Sequence, residues 1–366
     1  MALSLLIVDD SALMRRQLKK IFAEAGDIEI LTARDGEDAL EKLDIWHIDV
    51  VTLDINMPVM DGLTCLSHIM SRYPMPVVMV SSLTDKGALA TFEALEMGAF
   101  DYVTKPGGTV SLNLEQVADE LVKKVRAAYR SRRNFSKQVQ KLGASTTPTQ
   151  QPAKAVRRST AHQQTPTKKL ASADSEPGLV LVGVSTGGPG TLELLTRQLP
   201  GDFPWPILVA QHMPARFTKV FANRLDGILS LNVKEVASPT PLQPGSLYIA
   251  QGDADVRLVR RAGKLRAVSQ PLSKNHLWHP SVALMVASAL EVCDAEKIIC
   301  VQLTGMGDDG AREMAQAFHQ GARVIAESED SAVVYGMPRA LQELCPEATS
   351  LAADQIAQQL LDWVTE

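Results

Sequence analysis

Short apolar runs alternate with helical patterns along the first 125 residues of the chain. Apolar residues at helical spacing predict helices at 11–25 and 35–43. Continuous apolar runs, typical of strands buried on both faces, predict strands at 3–8, 28–33, 49–55 and 76–82, with a fifth ending within 99–106. This alternation predicts an α/β fold, in which helices cover both faces of a parallel sheet.

The hydrophobic periodicity stops after about Arg130 and resumes at Gly178. Residues 134–176 are rich in Gln, Thr, Ser, Pro, Ala and Lys, and this composition buries too little apolar surface to offset the chain entropy lost on folding. Further strands are predicted at 179–184, 206–211, 246–250, 297–303 and 322–326. The chain is therefore predicted to have an α/β domain at 1–125, a flexible linker at 126–176 and a second α/β domain at 177–366.

Charge divides the 366 residues in a similar way, although the net charge is only −5. Residues 121–173 hold thirteen Lys or Arg and no Asp or Glu, whereas the segments before and after them carry −11 and −7. Neither acidic segment has the basic surplus of a DNA-binding domain, so no DNA partner is expected.

Cysteine usage and the N-terminal segment bear on the cellular compartment. The four cysteines form no CxxC pair, and the N-terminus reaches Asp9 too early for the apolar region of a signal peptide. No apolar run approaches the roughly 20 residues needed to span a bilayer. We therefore expect reduced thiols, a cytoplasmic location and no membrane insertion.

Acidic residues follow the predicted strands of the first domain. Asp9 and Asp10 end the first strand, Asp54 ends the third, and Lys105 follows the fifth. The carboxyl ends of parallel strands share one edge of the sheet, so these residues can converge there. Clustered carboxylates suit Mg²⁺, beside which a carboxylate can attack a phosphoryl group whose oxygens Lys105 and the Ser81 hydroxyl would hold. For the Asp pair alone, capping of the next helix is the alternative.

With the segments LDINMPVMDG (53–62), VSS (80–82) and TKP (104–106), the acidic pair resembles the receiver domain of two-component response regulators. The resemblance implies a flavodoxin-like, doubly wound parallel sheet and a histidine kinase as the phosphodonor. It implies that Asp54 is the phospho-acceptor and that Asp10, Asp54 and the backbone carbonyl of Asn56 bind Mg²⁺, with Asp9 nearby. It also implies that Lys105 contacts the phosphate and that Ser81 and Tyr102 are switch residues.

A glycine-rich turn follows the first predicted strand of the second domain. Residues 183–187, GVSTG, fit G-x-S-x-G, the pattern of a nucleophile elbow. Such a turn would present the Ser185 hydroxyl at the start of a helix, where backbone N–H groups favour developing negative charge. A nucleotide-phosphate loop is the rival interpretation, but the segment lacks the GK[ST] lysine and does not match G-x-G-x-x-G.

Two later strands end in residues that would complete a hydrolytic site. His212 follows the strand at 206–211, and Asp308 and Asp309 lie in the loop TGMGDDGA after the strand at 297–303. Taken singly, a histidine at this position is more often structural than a base, and the two acids could be turn formers or helix caps. Together with Ser185 they form the set of nucleophile, base and acid. The order Ser, His, Asp differs from that of α/β-hydrolases, so an ordinary α/β-hydrolase is not expected.

The motifs GVSTGGP, QHMP, TGMGDDGA and VVYGMP (333–338) together resemble the catalytic domain of chemotaxis protein-glutamate methylesterases of the CheB type, from about residue 178 to 366. The resemblance implies a doubly wound α/β domain whose esterase needs no cofactor. It also implies hydrolysis of glutamyl methyl esters, and deamidation of certain glutamines, on the cytoplasmic helices of chemoreceptors. By motif, it assigns Ser185 as the nucleophile, His212 as the general base and Asp309, rather than Asp308, as the acid.

The same resemblance places the oxyanion against backbone N–H groups near Thr186 and Met306. One segment departs from the family pattern, because the frequent HRPSVD is WHPSVA at 278–283, with His279 and Ala283 in place of the usual Arg and Asp. If these positions shape substrate contacts, the preferred receptor differs.

The sequence thus predicts a phosphorylation-activated serine esterase that acts in chemotactic adaptation, with its unphosphorylated receiver covering the active-site edge. The first alternative is the same chemistry on a protein outside chemotaxis. The second is a receiver-controlled binding module without turnover.

Overall fold

The computed structural model of the chain describes residues 2–105, 114–144 and 177–365, with the side chains of the helix at 114–144 described over 117–132. Pro106 of the TKP motif and residues 145–176 of the predicted linker lie outside the described residues. No helix in the described ranges is long and apolar enough to cross a membrane.

The N-terminal domain is a five-stranded parallel sheet in the order β2-β1-β3-β4-β5. Its elements are β1 (Leu3–Val8), α1 (Ala12–Glu24), β2 (Ile28–Ala33), α2 (Gly36–Ile45), β3 (Val50–Asp54), α3 (Gly62–Arg72), β4 (Val77–Ser81), α4 (Asp85–Glu96), β5 (Asp101–Thr104) and α5 (Leu114–Ala144). The five predicted strands are confirmed. The strand order reverses between β1 and β3, so the residues after these two strands border the crevice in which such sheets bind ligands.

Helix α5 extends beyond the predicted end of this domain. It continues from Leu114 to Ala144, so the predicted boundary at residue 126 falls within it. The limits of the two domains and of the linker therefore stay a prediction.

The C-terminal domain has a seven-stranded parallel sheet in the order β15-β14-β13-β6-β7-β10-β8 and an antiparallel sheet in the order β11-β12-β9. Its elements are β6 (Leu179–Val184), α6 (Gly188–Thr196), β7 (Ile207–Gln211), α7 (Ala215–Ile228), β8 (Asn232–Val236), β9 (Thr240–Pro241), β10 (Ser246–Ala250), β11 (Asp255–Arg261), β12 (Lys264–Gln270), α8 (Val282–Leu290), a 3-10 turn (Ala295–Lys297), β13 (Ile298–Gln302), α9 (Ala311–His319), β14 (Arg323–Glu327), α10 (Met337–Leu344), β15 (Thr349–Leu351) and α11 (Ala353–Thr365). The predicted strands are β6, β7, β10, β13 and β14, and all five are confirmed. Strands β13, β6 and β7 lie side by side at the centre, which brings the loops after them to one edge.

Aromatic side chains join the two domains through α4, β5 and α7. Phe92 stacks on Phe221 with ring centroids 5.2 Å apart, and Tyr102 stacks on Phe217 at 4.8 Å with the ring planes 3° apart. These buried rings belong to one apolar cluster that continues from the first sheet into the second. Offset aromatic pairs of this kind add about 0.5–1.5 kcal/mol each beyond the apolar area that they bury.

Candidate active site and phosphorylation site

The turn after β6 holds Ser185 at the start of α6. The backbone N–H of Ser185 donates to the Thr304 carbonyl at 2.9 Å, and the Ser185 carbonyl accepts from the Gln211 side-chain amide at 3.0 Å. The turn requires glycine at two places. Gly187 has a φ of +76°, and a Cβ on Gly305 would lie 2.7 Å from the Ser185 Cβ. The sequence therefore fixes the backbone of Ser185 between β13 and β7.

His212 lies beside this turn because β7 pairs with β6. Its backbone N–H donates to the Val184 carbonyl at 3.1 Å, and its ring Nε2 lies 2.9 Å from Asp309 Oδ2. The other ring nitrogen, Nδ1, is buried and has no hydrogen-bond partner among the described residues. The Ser185 hydroxyl likewise makes no hydrogen bond with a described residue. Nε2 thus faces Asp309, and Nδ1 can accept a proton from a nucleophile.

Asp309 is held at the N-terminus of α8. Its carboxylate accepts from the backbone N–H groups of Val282 at 2.7 Å and Ala283 at 3.1 Å, and from the Ser281 hydroxyl at 3.2 Å. Burial alone would raise the pKa of Asp309, but the hydrogen bond and charge of His212 and the two backbone donors outweigh it and lower the pKa below its ordinary value. Asp309 is therefore the ionised partner of His212, whereas Asp308 is exposed.

The two predicted oxyanion residues lie on the loops that flank Ser185. The Thr186 carbonyl accepts from the Thr304 hydroxyl at 2.9 Å, and Met306 follows Gly305 on the neighbouring loop. Within the described part of the chain, neither the Thr186 nor the Met306 backbone N–H donates to a protein acceptor. Both N–H groups are available to a bound oxyanion.

Sequence reasoning missed Glu327, a buried carboxylate that supports the catalytic loop. Glu327 accepts from the Thr304 backbone N–H at 2.7 Å and from the Ser331 hydroxyl at 2.6 Å. Burial raises the pKa of Glu327, although these two hydrogen bonds oppose the rise. The sequence did contain a signal for Glu327, because it is a charged residue at the carboxyl end of an apolar strand. His212 was identified as a candidate by its similar position at the end of a strand.

Replacing Glu327 by glutamine is expected to change how stability depends on pH. A raised folded-state pKa means that the contribution of Glu327 is fully present below its ordinary pKa of 4.5 and declines as pH rises through the folded value. Glu327→Gln keeps an acceptor for Thr304 and removes the ionisation. Urea unfolding between pH 4 and 8 should show that the free energy of unfolding depends less on pH in Glu327→Gln than in the wild type. A steeper pH dependence in the variant would refute this account of Glu327.

Trp278 covers one side of His212. Its ring lies parallel to that of His212, with the centroids 5.8 Å apart and the planes 6° apart. The indole also lies against Gly307, where an added Cβ would be 2.8 Å from Trp278 Cζ2. Trp278 begins the segment WHPSVA, so this segment adjoins His212 directly.

Three carboxylates meet at the carboxyl ends of β1 and β3. Ligand oxygens of Asp9, Asp10 and Asp54 lie within 4.8 Å of one another. Lys105 Nζ lies 2.7 Å from Asp54 Oδ2 and 2.9 Å from Asp9 Oδ2, so its ammonium group balances part of their charge. The Asn56 backbone N–H donates to Asp54 Oδ1 at 3.4 Å, which places Asn56 beside the same cluster. An all-oxygen set of this geometry fits Mg²⁺.

The helix-cap alternative for the acidic pair does not match the structure. Ser11 caps α1, because its hydroxyl accepts from the Met14 N–H at 3.3 Å, and Asp9 accepts from the Ser11 N–H at 2.9 Å. Burial raises the pKa of Asp54 despite the opposing effect of Lys105. Burial would lower the pKa of Lys105, but Asp54 and Asp9 outweigh it and raise that pKa.

The two predicted switch residues point away from Asp54. The buried Ser81 hydroxyl donates to the Gly87 carbonyl at 3.1 Å, at the start of α4. The Tyr102 ring lies on Phe217 of the other domain. Burial raises the pKa of Tyr102 well above its ordinary value, so the phenol is neutral at every physiological pH.

The N-terminal domain reaches the loops of the catalytic edge. Met306, Val333 and Val334 pack against the N-terminal domain's apolar cluster, which contains Leu121 of α5. A Cβ on Gly187 would lie 2.5 Å from Val333 Cβ, so Val333 lies directly on the turn that holds Ser185. The same loops that form the catalytic site therefore also contact the N-terminal domain.

Comparison with known proteins assigns both domains. Residues 180–360 match the CheB methylesterase model, and residues 5–115 match the response regulator receiver domain. The protein-glutamate methylesterase/protein-glutamine glutaminase 3 of Rhodospirillum rubrum is 48% identical, covering 98% of this chain and 96% of that protein.

This chain belongs to the CheB methylesterase family.

The protein-glutamate methylesterase/protein-glutamine glutaminase 3 of Vibrio cholerae is 43% identical to this chain. The match covers 100% of this chain and 97% of that protein. A crystal structure of the Thermotoga maritima CheB methylesterase catalytic domain is 38% identical, with a TM-score of 0.49, and covers 51% of this chain and 99% of that one. The chain thus consists of a response-regulator receiver domain followed by a methylesterase domain, and the predicted fold class is confirmed.

Proposed function

We propose that this protein is a phosphorylation-activated serine esterase that hydrolyses glutamate methyl esters on chemoreceptors, releases methanol, and deamidates receptor glutamines to glutamate. The observation that carries the proposal is the pairing of His212 with Asp309 beside Ser185, on loops that the receiver also contacts. Release of methanol from methylated receptor fragments by the full chain tests it.

The first half-reaction transfers the glutamyl acyl group to Ser185. The Ser185 oxygen attacks the γ-ester carbonyl while His212 takes the hydroxyl proton. Since Asp309 accepts from Nε2, the proton goes to Nδ1, and the carboxylate stabilises the imidazolium that forms. The backbone N–H groups of Thr186 and Met306 hold the oxyanion, and such a donor contributes about 3–4 kcal/mol to transition-state stabilisation.

Collapse of the tetrahedral intermediate completes the first half-reaction. His212 gives its proton to the departing methoxy oxygen, which leaves as methanol, or to the departing nitrogen of a glutamine amide, which leaves as ammonia. The second half-reaction releases the product. Water then attacks the acyl-enzyme with His212 as the base, and the glutamate carboxylate and free Ser185 are regenerated. No cofactor takes part in either half-reaction.

The receiver is proposed to accept a phosphoryl group at Asp54 from a histidine kinase. Asp10, Asp54 and the Asn56 carbonyl would hold Mg²⁺, with Asp9 adjacent, and the ion would neutralise charge on the phosphoryl oxygens when bound. Lys105 already lies 2.7 Å from Asp54 and can follow a phosphoryl oxygen there. Ser81 would have to exchange its bond to the Gly87 carbonyl for one to the phosphoryl group.

Phosphorylation is proposed to release the contact between the two domains. Tyr102 lies on β5, the strand that leads to Lys105, and its ring stacks on Phe217 of α7. A rearrangement at Ser81 and Lys105 would alter the strand that holds Tyr102. The ensemble would shift toward arrangements in which Met306 and Val333 no longer face the receiver.

Reversing the charge of Glu96 is expected to raise basal activity without any phosphodonor. Glu96 on α4 forms an ion pair with Arg224 on α7, and Arg224 also bonds Glu193 at 2.8 Å. Glu96→Lys places two cations together at the interface, which should raise methanol release by unphosphorylated protein several-fold. Glu93→Lys makes the same change on the same helix, at an exposed residue, and should leave basal activity near that of the wild type. Equal basal activity in Glu96→Lys and the wild type would contradict the interface model.

The proposed partners follow from this chemistry. They are the methylated cytoplasmic helices of chemoreceptors as substrate and a chemotaxis histidine kinase as phosphodonor. Both lie in the cytoplasm, so we expect the protein there, with no DNA partner and no membrane insertion.

A further inference from the structure

An exposed apolar loop borders the catalytic histidine and takes no part in the chemistry derived above. It consists of residues 271–278, which we call the docking loop. Leu277 is 85% exposed, the most exposed large apolar side chain among the described residues, and Leu272 is 50% exposed. Exposed apolar side chains in a loop that ends beside His212 are typical of an interaction site.

The docking loop is held rigidly although its leucines face solvent. Asp255, which is fully buried, accepts from the Ser273 N–H at 2.7 Å and from the Ser281 N–H at 3.0 Å, and it bonds His279 Nδ1 at 2.8 Å. These bonds tie Ser273, near the start of the docking loop, and His279 and Ser281, just after its end, to the first residue of β11. The exposed leucines are therefore presented in a defined position, which lowers the entropy lost when a partner binds.

The docking loop is continuous with the catalytic site. Trp278, its last residue, stacks on His212. A protein segment whose carbonyl is bound at Ser185 and His212 therefore lies close to Trp278, which Leu277 directly precedes in the chain. On a helical substrate, the residues one turn before and after the reacting glutamate lie on the same face, within about 6 Å of it.

The exposed Lys274 gives the docking loop a positive charge that suits an acidic partner. Residues 271–278 contain no Asp or Glu. The product of the proposed reaction is a glutamate on the substrate helix, so the occupant carries carboxylates where hydrolysis has already occurred.

We infer that the docking loop binds the chemoreceptor helix, with Leu272 and Leu277 packing on apolar side chains one turn from the esterified glutamate and Lys274 facing a neighbouring carboxylate. This inference rests on the proposed function and adds to it the surface that recognises a protein rather than a free ester. The docking loop would determine which substrate is bound, because neither leucine belongs to the set of Ser185, His212 and Asp309 that carries out the chemical step.

The test compares two substrates with the phosphodonor-treated full chain. One substrate is a methylated receptor cytoplasmic fragment, and the other is N-acetyl-glutamate γ-methyl ester amide, which is too small to reach the docking loop. Leu277→Ala should lower the ratio of kcat/KM on the receptor to kcat/KM on the small ester about tenfold. Lys274→Glu should lower the same ratio, and the loss should shrink as salt is added. Leu344→Ala, at a leucine that is 49% exposed on the end of α10, is the control and should leave the ratio unchanged.

An unchanged ratio in Leu277→Ala and Lys274→Glu, with normal melting temperatures, would overturn the inference. The inference would also be overturned if the ratio stayed unchanged while the variants sedimented differently from the wild type. That result would indicate that the loop binds a second copy of the chain. If the wild type hydrolyses neither substrate, the proposed function fails instead, and the two failures are thereby distinguished.

Discussion

Ser185→Ala is expected to lower methanol release from methylated receptor by about 10⁴-fold or more. The alanine has no oxygen to form the acyl-enzyme, and the oxyanion donors alone leave only residual catalysis. The backbone of the turn should be unaffected, because the bonds from Ser185 N–H to Thr304 and from Gln211 to the Ser185 carbonyl do not involve the hydroxyl. Methanol released from purified receptor fragments, measured with phosphodonor present, checks the result.

Ser238→Ala is the matched control for the nucleophile. Ser238 is an exposed serine in the same domain and contributes its carbonyl, not its hydroxyl, to a bond with Thr240. Its activity should equal that of the wild type. If Ser185→Ala kept a tenth of the wild-type rate with an unchanged melting temperature, the serine-esterase mechanism would be wrong.

Asp309→Asn is expected to lower kcat by roughly 10³- to 10⁴-fold while receptor binding stays close to normal. An uncharged amide cannot stabilise the imidazolium, and its N–H₂ group favours the ring tautomer with the proton on Nδ1, which then cannot act as the base. With its N–H₂ group towards His212, the asparagine loses the acceptor for the Val282 N–H, but its oxygen still accepts from the Ala283 N–H and the Ser281 hydroxyl, so we expect a destabilised but folded protein.

Asp308→Asn provides the neighbouring comparison on the same loop. Asp308 is exposed, whereas Asp309 lies 2.9 Å from His212, so Asp308→Asn should keep activity within about twofold of the wild type. A severe loss in Asp308→Asn together with a mild one in Asp309→Asn would reverse the assignment of the acid. A rate measurement on both variants therefore decides the question that the paired aspartates raise in the sequence.

The central strands of both sheets were predictable because they are buried on both faces. Runs such as LSLLIV in β1 and IICVQ in β13 contain almost only apolar residues. Strands β8, β11 and β12 were missed, since NVKEV, DVRLVRR and KLRAVSQ place charged residues among the apolar ones. They lie at the edge of the sheet or in the small antiparallel sheet, where one face meets solvent and the apolar signal is halved.

The length of α5 was also missed, for a different reason. Past Arg130 its sequence is basic and polar, which suits a linker as well as an exposed helix. Lys, Arg, Gln and Ala all have high helix propensity, and Phe135, Val139 and Leu142 continue at the helical spacing of Leu121, Val125 and Ala128. Three apolar residues among so many polar ones are a weak signal.

Within the sites, residues at strand ends were predictable and their supports were not. Ser185, His212 and Asp309 stand in glycine- or proline-marked loops, so parallel topology alone brings them together. Glu327 and the N-terminus of α8 reach the site through packing that no short motif encodes. The contact of Tyr102 with Phe217 likewise depends on how two domains dock, which the sequence of either domain leaves open.

The central claim is that phosphorylation of Asp54 controls hydrolysis at Ser185. The most direct measurement is methanol release from methylated receptor by the wild type and by Asp54→Asn, each with and without a small phosphodonor. The account predicts strong stimulation of the wild type and none of Asp54→Asn, whose activity should stay at the basal rate. Full phosphodonor stimulation of Asp54→Asn would contradict it.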